Sequence, residues 1–187
     1  MPTLIETSAA PFTARDYRRM EDDGGRYEVI HGELLMAPAP NRFHQGISGN
    51  LCRFLYPYLR KTKVGKAYDA PFDVYLDDFN VVQPDVVFVA AGSACKLVPE
   101  GAEGAPDLLM EILSPSTSVR DLRDKRALYA EKGVKEFWVV SPETRQVQVY
   151  YLQKQADRPA LVLEEIDTLR SDLLPGLEIP VGEIFED

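Results

Sequence analysis

The most apolar stretch of the chain is interrupted by a single acid. In PDLLMEILS, residues 106–114, Leu108, Leu109, Met110, Ile112 and Leu113 surround Glu111. A run this short, entered through Pro106, predicts a strand buried on both faces. VVQPDVVFVAA (81–91) predicts a second buried strand, and the alternation in KAYDAPFDVYLD (66–77) predicts another. RYEVI and ELLMA flank His31-Gly32, a turn-competent pair, and so predict an N-terminal hairpin. EFWVVS (136–141) and QVQVYYL (146–152) give two more strands around the turn-rich SPETR. LLPGLEIPVGEIF reads as a closing strand and a short helix.

Helical spacing appears in three places. TARDYRRME (13–21) opens on Thr13 with Asp16 at capping-box distance. Residues 44–60 set Ile47, Leu51, Phe54, Leu55 and Tyr58 on one face, and Pro57 is expected to bend or end that helix. A third helix is expected to run from a cap at Ser116, Thr117 or Ser118 to about Lys132, with Gly133 at its end. Together these elements predict a single domain over residues 1–187. Its class is α/β with an α+β tendency, a mixed β-sheet flanked by helices.

Composition narrows the function classes. The 187 residues are 45% hydrophobic and 27% charged, as in ordinary globular proteins. The net charge of −9 argues against coating nucleic acid by bulk electrostatics, so a phosphate-bearing partner must meet a local patch. No segment reads as a signal peptide or membrane span, and the expectation is a cytoplasmic protein without membrane partners. Cys52 and Cys95 lack metal-ligand spacing and read as free, buried thiols.

Glu111 needs a partner, because stripping an ionised carboxylate of water costs roughly several kcal/mol. Asp107 lies on the same predicted strand about 13 Å away, too far to share an ion with it. Asp85 begins another buried strand. If the two strands are neighbours in the right register, its Cβ comes within about 5 Å of that of Glu111. A pair of carboxylates is the protein's usual contribution to a Mg²⁺ site. On the third helix Lys125 flanks the inward face defined by Leu122 and Tyr129, with Arg126 on the opposite flank. Lys125 is thus either a catalytic cation or the helix-to-sheet partner of Glu111.

RYEVIHGELLMAPAP, FHQGI, QPDVVFV, PDLLMEILSPST, RDLRDKRALYAEKGVKEFWVV and LPGLEIP, in this order, resemble the Uma2 (DUF820) family of the restriction-endonuclease-like PD-(D/E)xK superfamily. The resemblance implies a compact sheet flanked by helices and a metal-dependent phosphodiesterase centre. It carries the two acids onto Asp85 and Glu111 and the lysine onto Lys125, since Leu113 stands where an E-x-K motif would place it. The resemblance further implies Mg²⁺, with Mn²⁺ as a substitute, held by Asp85, Glu111 and the carbonyl of Ile112. Accessory residues would be Glu28, Glu33, His44 and Gln45. For the two glutamates the alternative is solvent-facing hairpin acids, and for His44 it is a helix cap.

The expected function is an endonuclease acting on DNA. Arg120, Arg123 and Arg126, or Arg53, Arg60, Lys61 and Lys63 on the second helix, would hold the substrate. A catalytically silent nucleic-acid-binding or assembly protein on the same fold is the alternative, and a serine hydrolase using Ser116 is a weaker third. A homodimer formed through QVQVYYL is also consistent with the sequence.

Overall fold

Two interruptions in the central third of the chain decide the architecture. KAYDAPFDVYLD and VVQPDVVFVAA each read as one strand, yet each forms two, broken at Pro71 and at Pro84, which lack the ladder donor. The computed structural model describes residues 3–4, 10–21, 23–37, 40–114 and 119–186, and the side chains of residues 3–4 and 119–121 lie outside that description. The chain runs β1 (Thr3–Leu4), α1 (Ala14–Tyr17), β2 (Arg26–Ile30), β3 (Glu33–Ala37), α2 (Arg42–Thr62), β4 (Gly65–Asp69), β5 (Asp73–Asp77), β6 (Asn80–Val82) and β7 (Val86–Ala90). It continues through β8 (Lys96–Val98), β9 (Gly101–Glu103), β10 (Leu108–Ile112), α3 (Val119–Lys132), β11 (Glu136–Ser141) and β12 (Gln146–Tyr151). It closes with β13 (Leu161–Leu163), β14 (Thr168–Leu169), β15 (Ile179–Pro180) and α4 (Val181–Ile184).

The expected single sheet is therefore two principal ones. β4 and β7 belong to a six-stranded sheet ordered β13-β12-β11-β10-β7-β4, whereas β5 and β6 belong to a second sheet ordered β1-β3-β2-β6-β5-β9-β8. Both are mixed, since β10 runs parallel to β11 and β5 parallel to β9. β14 and β15 form a separate small ribbon. The hairpin is as expected, in register from Arg26↔Ala37 to Ile30↔Glu33. His31 and Gly32 both have positive φ, which suits a tight turn matched to the strand twist.

Alternation along β10 sorts the core. Leu108, Met110 and Ile112 pack with Val86, Phe88 and Trp138 against Leu51, Leu55 and Leu59 of α2. Leu109 packs with Val87, Phe137 and Val139 against Leu128 and Tyr129 of α3. The six-stranded sheet is thus covered on both faces, and Glu111, in step with Leu109, faces α3.

α2 continues through Pro57 to Thr62, so of the expected bend or end the proline does not bring the end. Its proline is exposed, and the helix buries Leu51, Leu55 and Leu59 around it. Burying a leucine contributes about 1.5–3 kcal/mol, so three of them outweigh the ~3 kcal/mol cost of an internal proline. α1 carries the predicted Thr13–Asp16 capping box but spans four residues only. The expected caps at residues 116–118 lie outside the described residues. β12 pairs with β11 along its whole length and with β13 at Val147–Val149.

Candidate active site

The ladder between β10 and β7 pairs Leu108 with Phe88, Leu109 with Val87 and Met110 with Val86. One step further sets Glu111 level with Asp85, and level residues on antiparallel neighbours share a face. The backbone ties them together, because the Ile112 N–H donates to Asp85 Oδ2 at 2.7 Å. The register that the sequence reading required is the one that forms.

α3 supplies what Glu111 needs. Lys125 Nζ lies 3.1 Å from Glu111 Oε1, and the Tyr129 hydroxyl donates to the same oxygen at 2.8 Å. Lys125 and Tyr129 are four residues apart and so occupy one helical face. Neither touches Oε2 in these bonds. The ammonium also lies 2.8 Å from Glu28 Oε1, making Lys125 a bridge between the two sheets. Glu28 is 3% exposed and receives the Gln83 N–H at 2.9 Å.

Burial pushes the Glu111 carboxyl up to about 7. The Asp85 and Glu28 charges add to that rise, while Lys125 and the Tyr129 hydrogen bond oppose it. Burial disfavours the Lys125 ammonium, but Glu111 and Glu28 outweigh that effect and hold the amine above its ordinary range. The lysine is therefore a stable cation. Burial, followed by the Glu111 and Glu28 charges, keeps the Tyr129 phenol protonated well beyond its usual value, so it remains a donor.

Asp85 has a second neighbour on α2. Asn41 caps that helix by accepting from the His44 N–H, and the His44 side chain is turned to Asp85, with Nε2 3.1 Å from Oδ2. Arg26 approaches Oδ1 to 4.0 Å and also donates to Gln83. Arg26, His44, Gln45, Asp69 and Asp85 line one cleft of about 370 Å³.

The remaining sequence candidates fall elsewhere. Glu33 is exposed at the far strand of the hairpin. Arg126 lies over the Tyr150 ring, 5.0 Å from its centroid, on the flank away from Lys125. Arg123 is exposed beside Asp124, at 3.6 Å. The side chain of Arg120 lies outside the described residues. Asp107 is engaged by Lys135 and the Ala90 N–H, a structural clamp separate from the Glu111 cluster.

Sequence reasoning missed Tyr129, Gln83 and Arg26. Tyr129 had a signal, since it follows Lys125 at helical spacing on the inward face. Gln83 acts through its backbone N–H and its side chain, and no residue pattern announced either.

The model of the Uma2 family, described as "Putative restriction endonuclease", matches residues 14–182. The chain is similar to a crystal structure described as a putative nuclease belonging to DUF820 from Anabaena variabilis ATCC 29413. That similarity has a TM-score of 0.75 at 18% sequence identity and covers 94% of this chain and 98% of the other. At that identity the likeness establishes the fold, mixed sheets flanked by helices. No curated protein matches the chain. Since the family match runs from α1 into α4 and takes in each side chain of the cluster, the chain belongs to the Uma2 family.

Proposed function

We propose that the protein is a Mg²⁺-dependent endonuclease that hydrolyses phosphodiester bonds in DNA, with Mn²⁺ able to replace Mg²⁺. The observation that carries this reading is the convergence of two acids and a buried, charged lysine. Asp85 and Glu111 stand level on adjacent strands, and Lys125 reaches Glu111 from the helix covering them.

The donor chemistry fits a hard cation. Among the described residues no three His, Cys, Asp or Glu side chains are grouped so as to hold a metal ion by themselves. Mg²⁺ instead takes one or two protein carboxylates and keeps waters and phosphate oxygens in its other positions. Asp85, Glu111 and the Ile112 carbonyl would hold it. When bound, the ion supplies charge neutralisation at the phosphate and a water of lowered pKa.

The chain's own residues do the positioning. Lys125, held protonated, acts as a donor that orients the attacking water or meets charge developing on the phosphate, and not as the general base. Glu28 fixes the ammonium from the second sheet, and Tyr129 holds Glu111 by one oxygen. His44 and the Ile112 N–H together set the Asp85 carboxylate. The cleft lined by Arg26, His44 and Asp85 would give a strand access to the Asp85 end of the cluster.

The test is a cleavage assay over single- and double-stranded DNA and RNA with Mg²⁺ or Mn²⁺, with Asp85→Ala as control. Metal-dependent cleavage lost in the variant supports the proposal. Mg²⁺ binding without cleavage of any substrate would leave a nucleic-acid-binding or assembly protein on a nuclease fold. Chelator-resistant turnover abolished by Ser116→Ala would point instead to a serine hydrolase.

A further inference from the structure

α2 carries one stripe of residues toward the edge strand β4. Near its N-terminal end His44, Gln45, Ser48 and Gly49 line the cleft that holds Asp85. Near its C-terminal end Tyr56, Leu59, Arg60 and Lys63 line a larger cavity of about 990 Å³. Steps of three and four residues keep these positions on one helical face. β4 supplies the opposite wall of both spaces, with Asp69 in the cleft and Gly65 to Tyr68 in the cavity. The Tyr56 hydroxyl donates to Asp69 where the two meet.

In a chain of net charge −9, this cavity has the opposite character. Arg60, Lys63 and Lys66 line it, and no Asp or Glu does. All three are exposed, and none forms a salt bridge among the described residues. Leu59, Val89, Leu97, Tyr56 and Tyr68 line it as well, and the Tyr68 ring has one face stacked on Phe72. Unpaired cations around an apolar, ring-bearing hollow match a polynucleotide, whose phosphates meet the cations while its bases stack on the rings.

Resting on the nuclease reading above, we infer that this cavity binds an unpaired stretch of the same polynucleotide whose scissile phosphate lies at Asp85 and Glu111. A base can enter a concave pocket and stack on tyrosine only when it is free of its own duplex. The spacing is also suitable. Asp69 pairs with Val86, next to Asp85, and Gly65 pairs with Ala90 at the cavity end of β4. Those four residue steps span about 13 Å, roughly four nucleotides at a duplex rise of 3.4 Å per strand. The preferred substrate therefore carries a single-stranded segment a few nucleotides from the cut.

The test is fluorescence anisotropy with labelled single strands of about 12 nucleotides, blunt duplexes and mononucleotides, in chelator so that cleavage plays no part. Arg60→Ala/Lys63→Ala/Lys66→Ala should weaken single-strand binding at least tenfold. It should also flatten the slope of log K against log salt by about 2, since each phosphate left without its cation accounts for roughly 0.7. Tyr56→Leu should weaken single-strand binding at least fivefold with the slope unchanged, because stacking is not electrostatic. Lys63→Arg/Lys66→Arg should bind like the wild type.

Unaltered single-strand affinity in the triple variant would overturn the assignment. So would an equal weakening for blunt duplex, or a mononucleotide bound as tightly as the oligonucleotide. Cation-dependent single-strand binding without Mg²⁺-dependent cleavage would sink the nuclease reading and leave the cavity assignment standing. Normal cleavage with a triple variant that binds like the wild type would do the reverse.

Discussion

Lys125→Met keeps much of the lysine's apolar length and deletes its charge, leaving Glu28 and Glu111 facing each other without a cation. The side chains of these acids are 4% and 14% exposed, so little water reaches them to replace the ammonium. Breaking a buried pair by removing one partner costs ~3–5 kcal/mol. At about 2–4 °C per kcal/mol for a domain of this size, the melting temperature should fall by roughly 6–20 °C at pH 8. A solvent-exposed pair would cost at most about 1 kcal/mol, or under ~4 °C. The destabilisation should depend on pH. Burial already pushes Glu111 up to about 7, and removing the ammonium pushes it higher. A carboxyl whose pKa is higher folded than unfolded binds its proton more readily in the folded state. Its destabilisation is complete above the folded value and is relieved as pH falls toward the unfolded value. Scanning calorimetry in metal-free buffer should therefore show a much smaller drop at pH 5 than at pH 8. A drop below ~4 °C at pH 8, or the same drop at both pH values, would refute the buried-bridge reasoning.

The proposed Mg²⁺ binding would require Glu111 ionised. With that carboxyl pushed up to about 7, affinity should fall roughly tenfold per pH unit below it and binding near neutrality should release a fraction of a proton. Calorimetry in buffers of different ionisation enthalpy reads both, and a flat affinity from about pH 5.5 to 8 contradicts the assignment. Tyr129→Phe removes a hydrogen bond to a charged oxygen, so it should cost about 1.5–3 kcal/mol in stability. It should also lower turnover roughly 10- to 100-fold, as removing the support of a metal ligand does; unchanged turnover would show that Glu111 needs no such support. Glu136 is buried, with Trp138 Nε1 and Ser171 Oγ donating to it, and burial raises its carboxyl above the ordinary range. It contributes a decline in stability as pH rises through that raised value. Melting curves of Glu136→Gln should lack that part of the decline, and an unaltered pH profile would count against it.

The candidate site was more legible in the sequence than the sheets. A lone glutamate in a greasy run, an aspartate at the mouth of another and a lysine on an inward helix flank suffice to nominate Asp85, Glu111 and Lys125. Each signal is local and is set by burial. Glu28 was ambiguous because strand alternation does not say which hairpin face is covered, and its partner Lys125 is 97 residues away in sequence. The division into two sheets was missed for a related reason. Alternation runs on through 66–77 and apolar character through most of 81–91, so only Pro71 and Pro84 hinted that the strands change sheets there. At Pro57 the helix does not end, because leucine burial along α2 outweighs a missing hydrogen bond. The short strands β8, β9, β13 and β14 have too few residues to show a period at all.

The proposed chemistry turns on Asp85 and Glu111 sharing one divalent cation. Titrating Mg²⁺ into the wild type and into Asp85→Asn tests it most directly, since asparagine can still accept the Ile112 N–H but brings no charge. One saturable site is expected in the wild type and none in a folded Asp85→Asn. Equal binding by the two proteins would contradict the shared-cation site.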